Sequence, residues 1–420
     1  MRSDVATEMT QRSGAEGRPW SGALADGGAG AGRHAPGAFY DEHFDADEGT
    51  ALQARAPARN TKGLLVRVFS AVLILGAGVA AGLAIGRARW GPSGPSPGDD
   101  VARFFVVGDW GRRGQFNQTE VAQMMDHVAA TFRPEFVLGT GDNFYEAGLT
   151  ATEDPAFVES FVNVYSGPHI KQLPWHNVLG NHDYAGIGPD CSYVNDTCRP
   201  GCCYSAVHQL SPRLRDPALD PARRWHCARA FKLSVGAGAR RVDIFGYDSN
   251  PFMEEEYSNK TWWDTGPGSL VDQSWEANLA ELDSALELSD AAWKIVAGHH
   301  PVHTCPSAGA PHNDGPYVTE RVAPVLRARG VQAYFNGHDH NLQAWRADGG
   351  VYYMTSGAGS ETRPGWQDEA ACRDSGAFFL YDASGFMAVR VREEEMVVEA
   401  YGIESTEPLH TFSIPRVREE

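Results

Sequence analysis

The feature that most constrains this chain is a repeated ending. Five apolar, β-rich runs each finish in a short polar signature: VVGDWG at 106–111, VLGTGDNFY at 137–145, VLGNHD at 178–183, IVAGHHP at 295–301 and YFNGHDH at 334–340. In open α/β sheets, ligands collect beyond the carboxyl ends of the strands. The five endings together offer Asp109, Asp142, Tyr145, Asn181, His299, His338 and His340. Turn chemistry accounts for a Gly-Asp pair at any one of them. It does not call for His and Asp at all of them.

Between the endings the pattern alternates. RFFVV (103–107), EFVLG (135–139), HNVLG (176–180), RVDIFGY (241–247), WKIVAG (293–298) and VQAYFNG (331–337) read as strands. A helix is expected from about Thr119, with Val121, Met124, Met125, Val128 and Phe132 on one face. Further helices are expected over 155–165, 277–288 and 318–330. After residue 350 the runs VYYMTSG, AFFLYD, FMAVRVR and EMVVEAYG read as strands with no helix between them. Alternation followed by a run of strands predicts a mixed sheet system with helices outside it.

The donor types select a chemistry. Imidazoles, carboxylates, an amide and a phenol are hard-to-borderline donors, and no thiolate stands among them. Seven side chains are too many for one tetrahedral ion, but they suit two ions sharing a carboxylate. Metal pairs ~3.5–4 Å apart serve phosphoryl-ester hydrolysis. Asp142 is the natural bridge. Tyr145 supplies the anionic oxygen that a trivalent iron favours.

The 420 residues carry a formal charge of -18. An acidic surface with no basic stripe argues against nucleic acid as a charge-driven partner. Residues 1–62 are rich in Gly, Ala, Arg and acidic residues without a sustained apolar period, and read as a disordered N-terminal region. Residues 68–86, VFSAVLILGAGVAAGLAIG, hold no charge, and 64–86 is expected to be a transmembrane signal-anchor helix. Arg55, Arg59, Lys62 and Arg67 precede it, which puts the N-terminal side in the cytoplasm and the rest in the lumen or outside the cell. The expected form is a single-pass type II membrane protein, open to release by cleavage. Gly78, Gly82 and Gly86 share a face of the helix, a candidate homodimer contact. A Gly/Pro linker spans 87–100. All seven cysteines lie beyond residue 190, which suits an oxidising compartment. Sequons at Asn117, Asn195 and Asn259 also follow the anchor.

In their order and wording, GDWG, GDNFY, GNHD, GHHP and GHDHNLQ resemble the metallophosphoesterases, and the Tyr of GDNFY resembles the purple acid phosphatases. GTGDNFY and GHDHNLQ look most like the small, mammalian-type, tartrate-resistant enzymes. The resemblance covers roughly 101–410 and implies a calcineurin-like metallophosphoesterase domain over 101–420. Its fold would be a four-layer α/β/β/α sandwich of two mixed β-sheets. It implies Fe(III) on Asp109, Asp142, Tyr145 and His340, and a divalent ion (Fe, Zn or Mn) on Asp142, Asn181, His299 and His338. A metal-bound hydroxide would attack a phosphate monoester. His182 matches one of the family's two assisting histidines. The second is displaced by an apparent insertion and falls on His312, with His303 as the weaker candidate. A phosphodiesterase or nucleotide hydrolase using the same centre is the alternative. A catalytically inactive metal-binding membrane protein is the alternative of another class.

Overall fold

The computed structural model describes residues 40–44, 100–184, 204–253, 269–308, 315–346 and 349–416. Along them run β1 (Tyr40–Phe44), β2 (Asp100–Val107), β3 (Phe136–Gly139), β4 (Trp175–Asn177), β5 (Trp225–Cys227), β6 (Ala230–Val235), β7 (Val242–Tyr247), β8 (Trp293–Ala297), β9 (Ala333–Asn336), β10 (Leu342–Arg346), β11 (Tyr352–Ser356), β12 (Ala377–Tyr381), β13 (Gly385–Arg392), β14 (Glu395–Gly402) and β15 (His410–Pro415). They form two mixed sheets. One has the order β1-β6-β7-β8-β9-β11-β10-β12, the other β15-β14-β13-β2-β3-β4-β5. In the first, β7, β8, β9 and β11 are parallel. In the second, β2 through β5 are parallel and β13 runs against β2.

The period of two in each strand builds the layers, because successive side chains face opposite sides of a sheet. Phe104 and Val106 of β2 point between the sheets, where they meet Phe136, Leu138, Ile244, Ile295, Phe335 and Val389. Phe105 and Val107 point outward and are covered by Val121, Met125 and Phe132 of the helix Gln118–Phe132. On the far side, Phe245, Val296 and Tyr334 are covered by Leu282 and Leu286 of the helix Trp275–Glu287, and by Val322 and Leu326. The result is the expected α/β/β/α arrangement.

Several elements differ from expectation. The helix expected over 318–330 is two, Gly315–Arg321 and Ala323–Ala328, because Pro324 starts the second where its missing N–H costs nothing. The run after residue 350 does contain a helix, Glu369–Asp374, capped by the Asp368 carboxylate accepting from Ala371 N at 3.0 Å. Helix over 155–165 is a short turn, Pro155–Phe157, that widens into a π-helical segment, Val158–Val162. Within the stretch read as disordered, Tyr40–Phe44 forms a strand parallel to β6. The expected membrane helix at 64–86 lies outside the described residues. Among the described residues no helix is long and apolar enough to cross a membrane. Cys305 and Cys372 form a disulfide and Cys227 is a free thiol.

Candidate metal centre

The two sheets bring their parallel strand ends to one edge. Asp109 follows β2, Asp142 follows β3, Asn181 follows β4, His299 follows β8, and His338 and His340 follow β9. Turning three of the donors back over the edge takes unusual backbone. Asp109, Asp142 and His338 sit at φ 59°, 50° and 72°, the left-handed region that side chains other than glycine seldom adopt. Such residues cost of order 1–3 kcal/mol each and persist where the surroundings impose them. Two glycines allow the close approach. A Cβ on Gly180 would stand 2.2 Å from Asp142 Oδ1, and one on Gly337 2.3 Å from Asp109 Oδ2. Behind the loops, Trp110 packs edge-on against Phe144, Trp175 and Trp225, with ring centroids 5.5, 5.4 and 6.2 Å away.

The donors fall into two groups that meet at one carboxylate. In the first, the Tyr145 hydroxyl lies 3.1 Å from Asp109 Oδ1, 3.0 Å from Asp142 Oδ2 and 3.0 Å from His340 Nε2. In the second, Asn181 Oδ1 lies 3.0 Å from His299 Nε2 and 2.9 Å from His338 Nδ1, and those two nitrogens are 3.2 Å apart. The other oxygen of Asp142, Oδ1, is 3.5 Å from His299 Nε2. All seven residues expected from the sequence are therefore together, with Asp142 between the groups. Asp109, Asp142 and His299 alone offer three ligand atoms within 4.8 Å of one another.

The chemistry of this donor set fits cations. His299 Nδ1 stands 2.9 Å from the Thr140 carbonyl, which only accepts, so the ring proton is on Nδ1. His299 Nε2 then faces the lone pairs of Asn181 Oδ1, a contact that needs a proton or a metal ion between the two atoms. Two acceptors 3.0 Å apart repel unless positive charge lies between them. An imidazole fixed through its other nitrogen by a carbonyl is also the usual setting of a metal ligand. The acids show the same strain. Burial, and then the Asp142 charge, pushes Asp109 well above the ordinary carboxylate range. Burial, then Asp109 and Asp142, pushes the Tyr145 phenol up as well. Burial acts on Asp142 too, but the His299 and His182 charges outweigh it and hold Asp142 low. Bound cations relieve this crowding of buried acids.

His182 sits on the rim, half-buried. Its backbone N–H donates to Asp142 Oδ1 at 2.8 Å, and its ring lies 4.6 Å from that of Tyr145. Nδ1 is 2.6 Å from the Glu146 carbonyl and so carries the proton there, leaving Nε2 as the ring atom that can exchange one. His312 lies outside the described residues. His303 packs against Trp345 and Tyr353, with centroids 5.9 and 4.8 Å away, which gives it a packing role. Two residues beside the donors support them. Asp183, next in GNHD, is buried and accepts from the backbone N–H groups of Asn143, Phe144 and Gly180 and from Gln209 Nε2, tying two donor loops together. His300, next in GHHP, bonds through Nδ1 to Ser249 Oγ at 2.8 Å, and that oxygen also accepts from the His299 N–H.

Known proteins are similar to this chain. A family model described as calcineurin-like phosphoesterase matches residues 102–342. Purple acid phosphatase 3 of Arabidopsis thaliana is 41% identical over 313 residues, covering 74% of this chain and 76% of that one. The chain belongs to the purple acid phosphatases. Tartrate-resistant acid phosphatase type 5 of Homo sapiens is 28% identical over 333 residues, 75% of this chain and 91% of that one, so the plant enzyme shares more identity than the human one. Among solved structures, purple acid phosphatase PPD1 of yellow lupin superposes with a TM-score of 0.52 at 15% identity, over 77% of this chain and 55% of that one. GAP50, titled the anchor in the inner membrane complex of Plasmodium, superposes with a TM-score of 0.55 at 17% identity, over 76% and 90%. At such identities the superpositions show the fold alone. The phosphatase is thus an enzyme of the metallophosphoesterase family, in which a dinuclear metal centre serves hydrolysis of phosphate esters.

Proposed function

We propose that the phosphatase hydrolyses phosphate monoesters at a centre of Fe(III) and a divalent Fe, Zn or Mn ion. Asp109, Tyr145, His340 and Asp142 would hold the first, and Asp142, Asn181, His299 and His338 the second. The observation that carries this reading is the meeting of the two donor groups at Asp142, with Tyr145 on one side and His299 on the other. When bound, the ions supply Lewis acidity to the ester oxygens and acidify water. The chain's own residues do the rest. His182 Nε2, with Nδ1 anchored, gives the proton that the departing oxygen needs. His312 is proposed as the second assisting histidine. Hydrolysis of nitrophenyl phosphate should exceed that of bis(nitrophenyl) phosphate by at least about tenfold in kcat/KM, a margin of ~1.4 kcal/mol. The reverse order would favour the phosphodiesterase or nucleotide-hydrolase reading. No turnover of either ester by metal-loaded protein would favour an inactive metal-binding protein.

We further propose that residues 64–86 cross a membrane once, with the catalytic domain lumenal or extracellular and glycine-faced helices pairing two chains. The basic flank before residue 68 supports this orientation. The Cys305–Cys372 disulfide and the exposed sequon residue Asn117 are compatible with such a compartment. A single crossing would put Tyr40–Phe44 and β6 on opposite sides of the bilayer, so this topology and the β1–β6 pairing exclude one another. In sealed microsomes, added protease should remove a tag at the N-terminus and leave residues 101–420 intact. Digestion of both, or protection of both, contradicts a single crossing and favours the paired N-terminal strand.

A further inference from the structure

We infer that Arg112 is a positioning residue for the metal centre. Its guanidinium lies on the Tyr145 ring and sets both the donor strength of the phenol and the carbonyl that orients His182. The guanidinium carbon is 3.7 Å from the ring centroid of Tyr145, a cation over an aromatic face. The side chain is 7% exposed, too buried for an ordinary surface charge. Nη1 meets Glu146 at 2.5 Å and Nη2 meets Glu361 at 2.8 Å, so the fork is held from both sides. Backbone bonds fix the same unit. Arg112 N donates to Gln118 Oε1 at 3.1 Å, and Tyr145 N donates to the Gly111 carbonyl at 3.0 Å.

Two consequences follow from these contacts. Positive charge on the face of the phenol stabilises its oxygen lone pairs, and so weakens electron donation toward whatever ion Tyr145 binds. The ion pair also anchors Glu146, whose carbonyl accepts the hydrogen bond from His182 Nδ1. One arginine therefore ties the phenol of the first donor group to the proton-donating histidine. Groups that orient ligands and catalytic side chains without touching the substrate change affinity or activity by roughly 10–100-fold.

This inference rests on Tyr145 binding iron as proposed above, and the test separates the two. The full-length protein loaded with iron is compared with Arg112→Met, Arg112→Lys and Glu361→Gln, with iron content and the visible phenolate-to-iron band recorded for each. Arg112→Met removes the charge and keeps the bulk. Its band should move to longer wavelength, and kcat for an alkyl phosphate should fall about tenfold with KM changed less than about twofold. Arg112→Lys should restore most of the band position. Glu361→Gln, which removes a counter-charge at a 40% exposed site, should move the band the opposite way, and it serves if the Arg112 variants fail to fold. An unmoved band in iron-loaded Arg112→Met or Glu361→Gln, or equal shifts for Met and Lys, overturns the role of Arg112. A wild-type protein that holds iron without any visible band overturns the Tyr145 reading instead, and the inference with it.

Discussion

Asp142→Asn should cost about 10²–10³-fold in kcat/KM, by analogy with the loss of a charge-stabilising group at a dry site, while leaving the metal-free protein close to the wild type in stability. In the metal-free fold, repulsion from Asp109 offsets the interactions that hold Asp142 low, so losing its charge changes stability little. Asp142 stands between both donor groups, and its charge is one of the reasons the neighbouring Asp109 is pushed up. An amide of the same shape can still accept the His182 N–H, now at 2.8 Å, but it cannot carry the negative charge that two cations would share. Thermal unfolding in chelator, set beside activity and metal content, reads both arms. A residue that only braced the loop would lower stability and activity together. Equal losses in both would remove Asp142 from the bridging position.

His182→Ala should depress hydrolysis of alkyl phosphates far more than that of nitrophenyl phosphate, with metal content unchanged. Positioned general acids contribute typically 10²–10⁴-fold, and their help matters most when the departing oxygen is basic. An alkoxide needs a proton as it leaves, whereas a nitrophenolate departs with little assistance. The anchored Nδ1 leaves Nε2 for this task. If His182 serves only to brace the loop through its backbone bond to Asp142, both esters lose equally and metal is depleted. Measuring kcat/KM for both esters across pH, with metal content in the same samples, separates the outcomes. Equal losses would move the acid role to His312.

Much of the site was legible because its donors are local features of strand ends. An apolar run followed by Gly and a polar residue announces both the strand and the side chain at its carboxyl end, and all seven donors were reached that way. The layer order followed from alternation, since Phe104 and Phe105 must face opposite sides. Less could be read where the information is not in the local pattern. Placement of β11 between β9 and β10 depends on long-range pairing. Strand β10 was missed because the motif GHDHNLQ takes in its first two residues, and the rest of LQAWR is too short a run to announce a strand. Asp183 and Arg112 each sit beside a motif residue and look like turn residues. Only the fold brings Arg112 against Tyr145 and Glu361, across 33 and 249 positions of chain (145 − 112 and 361 − 112). His312 was displaced by an apparent insertion, and its place was not fixed by spacing.

The central claim is that Tyr145 and Asp142 join two metal ions in one centre. Metal analysis and visible spectroscopy on the same full-length preparations of wild type and Tyr145→Phe test it most directly. The account predicts about two metal ions per chain in the wild type, one of them iron, as in other paired-metal hydrolase sites. It also predicts a broad visible band that vanishes in Tyr145→Phe while iron is retained. A Phe variant that binds iron normally and keeps the same band would contradict it.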